Sequence, residues 1–133
     1  MPIIEYLDET RKNGPNLIPN NVIKRVKARA IAEIINSGIQ PYQSANVVQR
    51  IAKELGNEKR DEWLSFYLNK GLKAVEETLK ETSGKYCVGD EISIADLCLV
   101  PQIGAARRYN INLSAYSLIS RINSDLEILP EFM

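Results

Sequence analysis

The sequence predicts a single all-helical domain. Apolar residues recur at spacings of three, four and seven along most of its length. No stretch alternates β-branched and polar residues between turn signals, so no sheet is expected. In addition, Ser93-Ile94-Ala95-Asp96 has the form of a capping box, which marks a helix start in the sequence itself.

Taken in order, Pro2 to Lys12 reads as a short first helix. Pro2 suits a first helical position, and Ile3, Ile4 and Leu7 fall on one side. Asn13-Gly14-Pro15 ends it, and residues up to Asn20 form a linker. Asn21 is an N-cap for a second helix, whose apolar stripe is expected at Ile23, Val26, Ala30 and Ile34, widened by Ile31 and Ile35. Gly38 and Pro41 predict a kink or break, because Pro41 has no amide proton to donate. Helix resumes from about Ser44 to Leu55, and Gly56-Asn57 interrupts it. Glu58 to Thr82 is the longest periodic segment, with Trp63, Phe66, Tyr67, Ala74, Val75 and Leu79 on one face, flanked by Leu64, Leu68 and Leu72. A central helix follows from that length. Gly71 in its middle costs about 1 kcal/mol against alanine, which predicts a close helix crossing there. After a loop from Lys85 to Glu91, Ile94 to Tyr109 is the next helix. Asn110 to Ala115 is a turn, and Tyr116 to Leu129 is the last helix, stopped by Pro130.

Composition narrows the function classes. The 133 residues are 44% hydrophobic and 26% charged, with Lys plus Arg and Asp plus Glu both at 17. A balanced chain has no global field to draw in nucleic acid or an anionic membrane, and neither partner is expected. There is no histidine, which removes the commonest general base and the commonest metal ligand. The two cysteines, Cys87 and Cys98, form no CxxC pair and cannot make a zinc site alone. No metal is expected. With Cys98 inside a helix, no disulfide is expected either, and a reduced, cytoplasmic setting follows. No apolar run of membrane-spanning length and no signal-peptide pattern is present.

Several residues could carry chemistry. Ser93 and Asp96 are read as a structural cap, with Ile92 and Leu97 at the positions of a hydrophobic staple. Loss of either capping side chain should cost about 0.5–2 kcal/mol. Pro101 is read as a packing kink. Arg107 and Arg108 close their helix, where cations suit the helix dipole. One of the two can instead face a cleft and bind a carboxylate, since adjacent helical residues do not share a direction. Gln40, Tyr42, Gln43, Ser44 and Asn46 surround the helix break, either as a hydrated kink or as a ligand contact. Cys98 is read as a small buried hydrophobe and Cys87 as a loop residue.

Three runs together resemble a known family. They are Gly38-Ile39-Gln40-Pro41, Gly84-Lys85-Tyr86-Cys87-Val88-Gly89-Asp90-Glu91, and Ser93-Ile94-Ala95-Asp96-Leu97-Cys98-Leu99-Val100-Pro101-Gln102. They look like the zeta class of glutathione transferases, whose best-known activity is maleylacetoacetate isomerisation. The resemblance runs from Ile3 to Leu129. It implies a glutathione-transferase C-terminal-like helical bundle lacking the thioredoxin-like N-terminal domain. Residues 1–12 would be the last helix of that domain, 13–20 a linker, and 21–133 the all-helical C-terminal domain. The stretch Glu54 to Arg60 is a few residues longer than usual in the family.

By the same resemblance the cofactor is glutathione. Gln40 matches a family glutamine that contacts it. Ser44 stands where an asparagine of similar role is common, and Ala45 and Asn46 continue the segment. Arg108 matches an arginine that orients substrate carboxylates, which leaves Arg107 as its solvated neighbour. The intact family adds glutathione thiolate to a cis double bond, allows rotation, and eliminates the thiol to leave the trans product. Its substrates are small dicarboxylates or α-halo acids, and its members are homodimers. The thiolate-stabilising motif has no counterpart in these residues, so no catalytic residue is assigned and the chain alone is expected to be inactive. The other reading is a non-catalytic, transferase-like interaction module.

Overall fold

The computed structural model describes residues 1–11 and 13–132. Six α-helices follow in order: α1 (Pro2–Thr10), α2 (Val22–Gly38), α3 (Ala45–Leu55), α4 (Asn57–Thr82), α5 (Ile94–Arg108) and α6 (Ser117–Glu127). A 3-10 turn, Gln40–Gln43, separates α2 from α3, and another, Pro130–Phe132, follows α6. No strand forms among the described residues; the one β-bridge joins Ser83 to Gly89 in the loop after α4.

Local chemistry sets the helix starts. Asn21 caps α2, its carboxamide oxygen accepting from the amides of Ile23 (3.0 Å) and Lys24 (3.1 Å). Gly56, at φ 94°, provides the left-handed corner that separates α3 from α4. Asn110, at φ 55°, plays the same part after α5, where the Ile111 amide returns to the Ala106 carbonyl at 3.0 Å. The first helix ends at Thr10, and Arg11 is extended. The expected extension of that helix to Lys12 therefore stops short, and Lys12 itself lies outside the described residues.

The core is a bundle in which α2 lies against α4 and α5, while α6 packs across both of the latter. Two expected faces are corrected. The α2 stripe that enters the core is Ala28, Ile31, Ala32 and Ile35, whereas Ile23 and Val26 are 68% and 61% exposed. On α4 the buried seam runs through Leu64, Leu68, Gly71, Leu72, Val75 and Leu79, while Phe66 and Ala74 face solvent. Both helices are apolar over a wide arc, so helical periodicity alone could not choose the centre of the face. The cysteines are corrected in the same way. Cys87 is the one that is fully buried, although it sits in a loop, and Cys98 is half-buried. Burial pushes both thiols up from their ordinary value, with the Asp96 carboxylate adding to the effect at Cys87.

The α6 start has no cap of its own, since Tyr116 offers none. Glu76, reaching across from α4, substitutes for it. Its buried carboxylate accepts from the amides of Leu118 (2.9 Å) and Ile119 (3.0 Å), and from the Ser117 hydroxyl (3.4 Å). Negative charge at a helix N-terminus is favourable, and here it satisfies the buried Ile119 amide and two part-buried donors of the first turn. Changing Glu76→Gln keeps one acceptor and turns an NH2 group toward the second amide. It should lower stability by about 1–2 kcal/mol in urea unfolding. An unchanged midpoint would mean that α6 starts without help from α4.

The first helix is tethered by polar contacts and buries none of its residues. The Asp8 carboxylate accepts from the amides of Leu17 (2.7 Å) and Ile18 (3.1 Å), and Glu5 pairs with Arg29 of α2 at 2.8 Å. The Leu17 carbonyl in turn accepts from the first α5 amide, Ile94, at 2.9 Å. Ile3 and Tyr6 remain 75% and 66% exposed.

Candidate functional site

At the break after α2, the 3-10 turn is pinned from two sides. The Trp63 indole donates to the Tyr42 carbonyl at 3.0 Å, and the Tyr42 ring stacks on Tyr67 with centroids 3.9 Å apart. From the other side, the Gln102 amide of α5 forms a reciprocal pair with Gln43. Gln43 Nε2 donates to Gln102 Oε1 at 2.9 Å, and Gln102 Nε2 donates back to Gln43 Oε1 at 3.1 Å. Gln40 Nε2 donates to the same Gln102 Oε1 at 3.0 Å. Gln102 is fully buried, Gln43 half-buried and Gln40 exposed. The break is therefore a rigid, amide-lined corner.

Ser44, Ala45 and Asn46 follow directly at the α3 N-terminus, and all three are exposed. Ser44 occupies the N-cap position, but its hydroxyl makes no capping bond. First-turn amides of α3 are thus open to an anionic group beside Gln40. The corner therefore offers amide donors and an exposed carboxamide, groups that can hydrogen-bond a small peptide carrying carboxylates and amides.

The two arginines at the end of α5 take separate directions. Arg107 forks onto both carboxylate oxygens of Glu127, and this hydrogen-bonded pair holds the Glu127 carboxyl below its usual range. Arg108 makes no ion pair among the described residues. It lines a cleft of about 650 Å³ with Arg60, Asp61, Ser65, Asn69 and Asn112. Arg60 is already held, by Asp61 at 2.7 Å and by Asn57 at 3.1 Å. That leaves Arg108 as an unpaired planar guanidinium on a concave wall that also carries the apolar side chains Val48, Leu64 and Ile111, an arrangement that can take a carboxylate in two parallel hydrogen bonds. Gln40 does not line this cleft.

The Ser93–Asp96 pair lies away from both places and is wholly buried. The box closes at the α5 start, with the Ser93 amide (2.8 Å) and hydroxyl (3.1 Å) both donating to Asp96 Oδ2. The other oxygen, Oδ1, accepts from the Cys87 amide at 2.9 Å, which ties the 83–91 loop to the helix. With both oxygens engaged and no exposure to solvent, Asp96 is out of reach of a substrate.

Gln102 is a residue of the site to which sequence reasoning assigned no role. The available signal was a lone amide within Leu99-Val100-Pro101-Gln102-Ile103, a run otherwise apolar. No cluster of metal-ligating side chains occurs among the described residues, and no helix is long and apolar enough to cross a membrane.

Comparisons with known proteins bear on the family and the fold. The family described as glutathione S-transferase, C-terminal domain, matches residues 52–124. Maleylacetoacetate isomerase of Mus musculus is 45% identical over 132 residues, 99% of this chain and 59% of that protein. The crystal structure of maleylacetoacetate isomerase from Anaeromyxobacter dehalogenans, with dicarboxyethyl glutathione and citrate in its active site, superposes with a TM-score of 0.93 at 34% identity, covering 98% of this chain and 60% of that one. A bacterial zeta-class transferase, maleylpyruvate isomerase, superposes with a TM-score of 0.92 at 30% identity, covering 98% and 63%. The chain thus spans less than two thirds of the length of these proteins. Its helical bundle, its helix order and its matched residues place it plainly: the chain belongs to the glutathione S-transferase family, within the zeta class, as a C-terminal helical domain.

Proposed function

We propose that this chain is the helical, substrate-placing half of a zeta-class transferase that isomerises maleylacetoacetate to fumarylacetoacetate with glutathione, and that it also serves glutathione conjugation. On this reading residues 1–12 belong to the end of the thioredoxin-like part, 13–20 link the two parts, and 21–133 form the substrate half. The assembled enzyme is a cytoplasmic homodimer. Bound glutathione supplies the thiol that adds reversibly to the substrate double bond. The helical half holds a substrate carboxylate on Arg108 and contacts glutathione through Gln40 and the α3 start at Ser44, Ala45 and Asn46.

The observation that carries this reading is the separation of the arginine pair. Arg107 is neutralised by Glu127 while Arg108 is left open on a cleft wall. The test begins with the purified 133-residue chain, which should show no glutathione-dependent isomerisation above background. Joined to the glutathione-binding part of a zeta-class relative, it should turn over. There Arg108→Ala should lower kcat/KM about a hundredfold and Arg108→Lys about tenfold, since a lysine cannot present two parallel donors. Equal rates for wild type and Arg108→Ala would remove Arg108 from substrate placement.

A second reading, an interaction module, draws on the exposed apolar residues Ile3, Tyr6, Val22, Ile23 and Val26. A stoichiometric protein partner, together with no response to glutathione at Gln40, would favour it.

A further inference from the structure

Gln102 makes three side-chain hydrogen bonds, and all three go to the 3-10 turn. It is the one fully buried amide on a helix whose other buried face residues are Ile94, Ala95, Leu99, Ile103, Ala105 and Ala106 beside the capping Asp96. A buried amide left without partners costs about 1–3 kcal/mol, so a glutamine here is worse than a leucine unless its bonds achieve something. What they achieve is visible at Gln40. That side chain is exposed, yet its Nε2 is held inward on Gln102 Oε1, and its own carbonyl oxygen accepts nothing from the described residues. A free surface glutamine would rotate about its side-chain bonds and present either end.

We propose that Gln102 is a positioning residue that fixes Gln40 with its carbonyl oxygen outward, so that Gln40 acts as a hydrogen-bond acceptor for an N–H group of glutathione. This rests on the reading of Gln40 as a glutathione contact and adds the direction of that contact and the residue that sets it. Gln43 is the third member. Its reciprocal pair with Gln102 opposes a half-turn of the Gln102 amide by itself, because that would set donor against donor and acceptor against acceptor.

The experiment titrates the isotope-labelled 133-residue chain with millimolar glutathione, read at the backbone amides of residues 40–46 and the side-chain amide of Gln40. Wild type should respond at these positions. Gln102→Leu, which removes the acceptor, should weaken the response about tenfold. Gln102→Glu loses the donor to Gln43 Oε1 and buries a charge, so it should lose stability, but it still accepts from Gln40 and its titration should stay within about threefold of wild type. A purely structural role would lower the melting temperature of both variants while leaving the titration alone. Gln102→Leu binding like wild type, or Gln102→Glu binding as poorly as Gln102→Leu, overturns the proposal. Should Gln102→Leu fail to fold, Gln43→Ala decides. It removes two of the three bonds from a half-buried position and should weaken binding about threefold or more, and unchanged binding overturns the proposal. If wild type does not respond at residues 40–46, or Gln40→Ala binds like wild type, the Gln40 contact and this inference both fall. The Arg108 reading, judged on isomerisation rate, is untouched by that result.

Discussion

Replacing Asp96 by alanine should cost about 3–4 kcal/mol, well above what loss of a helix cap alone costs. The carboxylate is fully buried and accepts three hydrogen bonds, from the Ser93 amide, the Ser93 hydroxyl and the Cys87 amide. Alanine leaves two backbone amides without partners in a dry environment, and bonds to a charged acceptor are worth about 1.5–3 kcal/mol each, though they do not sum in full. Ser93→Ala removes only the hydroxyl and should cost about 1 kcal/mol. The two changes are therefore expected to separate in urea unfolding, although a capping box by itself gives them similar weight.

The same substitution has a second, local readout. Cys87 is sealed in the loop by its amide bond to Asp96, by its carbonyl accepting from the Thr82 hydroxyl at 2.8 Å, and by Arg121 gripping the carbonyls of Gly84 (2.8 Å) and Lys85 (3.2 Å). In wild type a thiol reagent should modify half-buried Cys98 first and Cys87 only on unfolding. In Asp96→Ala the loop loses its tie to α5, and Cys87 should react at least about tenfold faster under native conditions. If Asp96→Ala costs no more than Ser93→Ala and leaves Cys87 protected, Asp96 is a simple cap.

These two residues also show how far the sequence could be read. Helix starts were legible where a cap lies within three or four residues of the amides it serves, as at Asn21 and Ser93, and where a glycine or proline forces a corner, as at Gly56 and Pro41. The faces of α2 and α4 were less so, because Ile23, Val26 and Phe66 continue the apolar pattern onto sides that the core does not reach. Long-range polar contacts left no local trace. Glu76 serves amides some forty residues away, and Gln102 serves a turn some sixty residues before it. In each case the sequence contains the donor or acceptor but not its partner. The resemblance singled out Arg108 and left Arg107 as a solvated neighbour, but the residues themselves distinguish the two only through Glu127, 20 residues beyond Arg107, which pairs with Arg107.

The Gly71–Ile39 contact joins stability to the candidate site, and its double-mutant cycle should change sign. Gly71 is buried on α4 where Ile39, fully buried at the end of α2, packs onto its backbone. A Cβ added at Gly71 would fall against Ile39 Cγ1 and 2.6 Å from its Cδ1. Helix propensity favours alanine over glycine by about 1 kcal/mol, but overpacking a closed core costs about 1–3 kcal/mol. Overlap with a carbon near the backbone of a buried, branched residue puts the cost at the upper end, so Gly71→Ala should be destabilising by about 1–2 kcal/mol net. Ile39→Ala alone should cost about 3 kcal/mol through the cavity it leaves. In the Ile39→Ala background the obstruction is gone, part of the cavity is refilled, and Gly71→Ala should stabilise by about 1 kcal/mol. Because Ile39 directly precedes Gln40, the displaced side chain of Gly71→Ala should also disturb the Gln40 corner, and its glutathione response should weaken along with stability. Additive single-mutant effects in urea unfolding would show that Gly71 is placed for some reason other than the approach of Ile39.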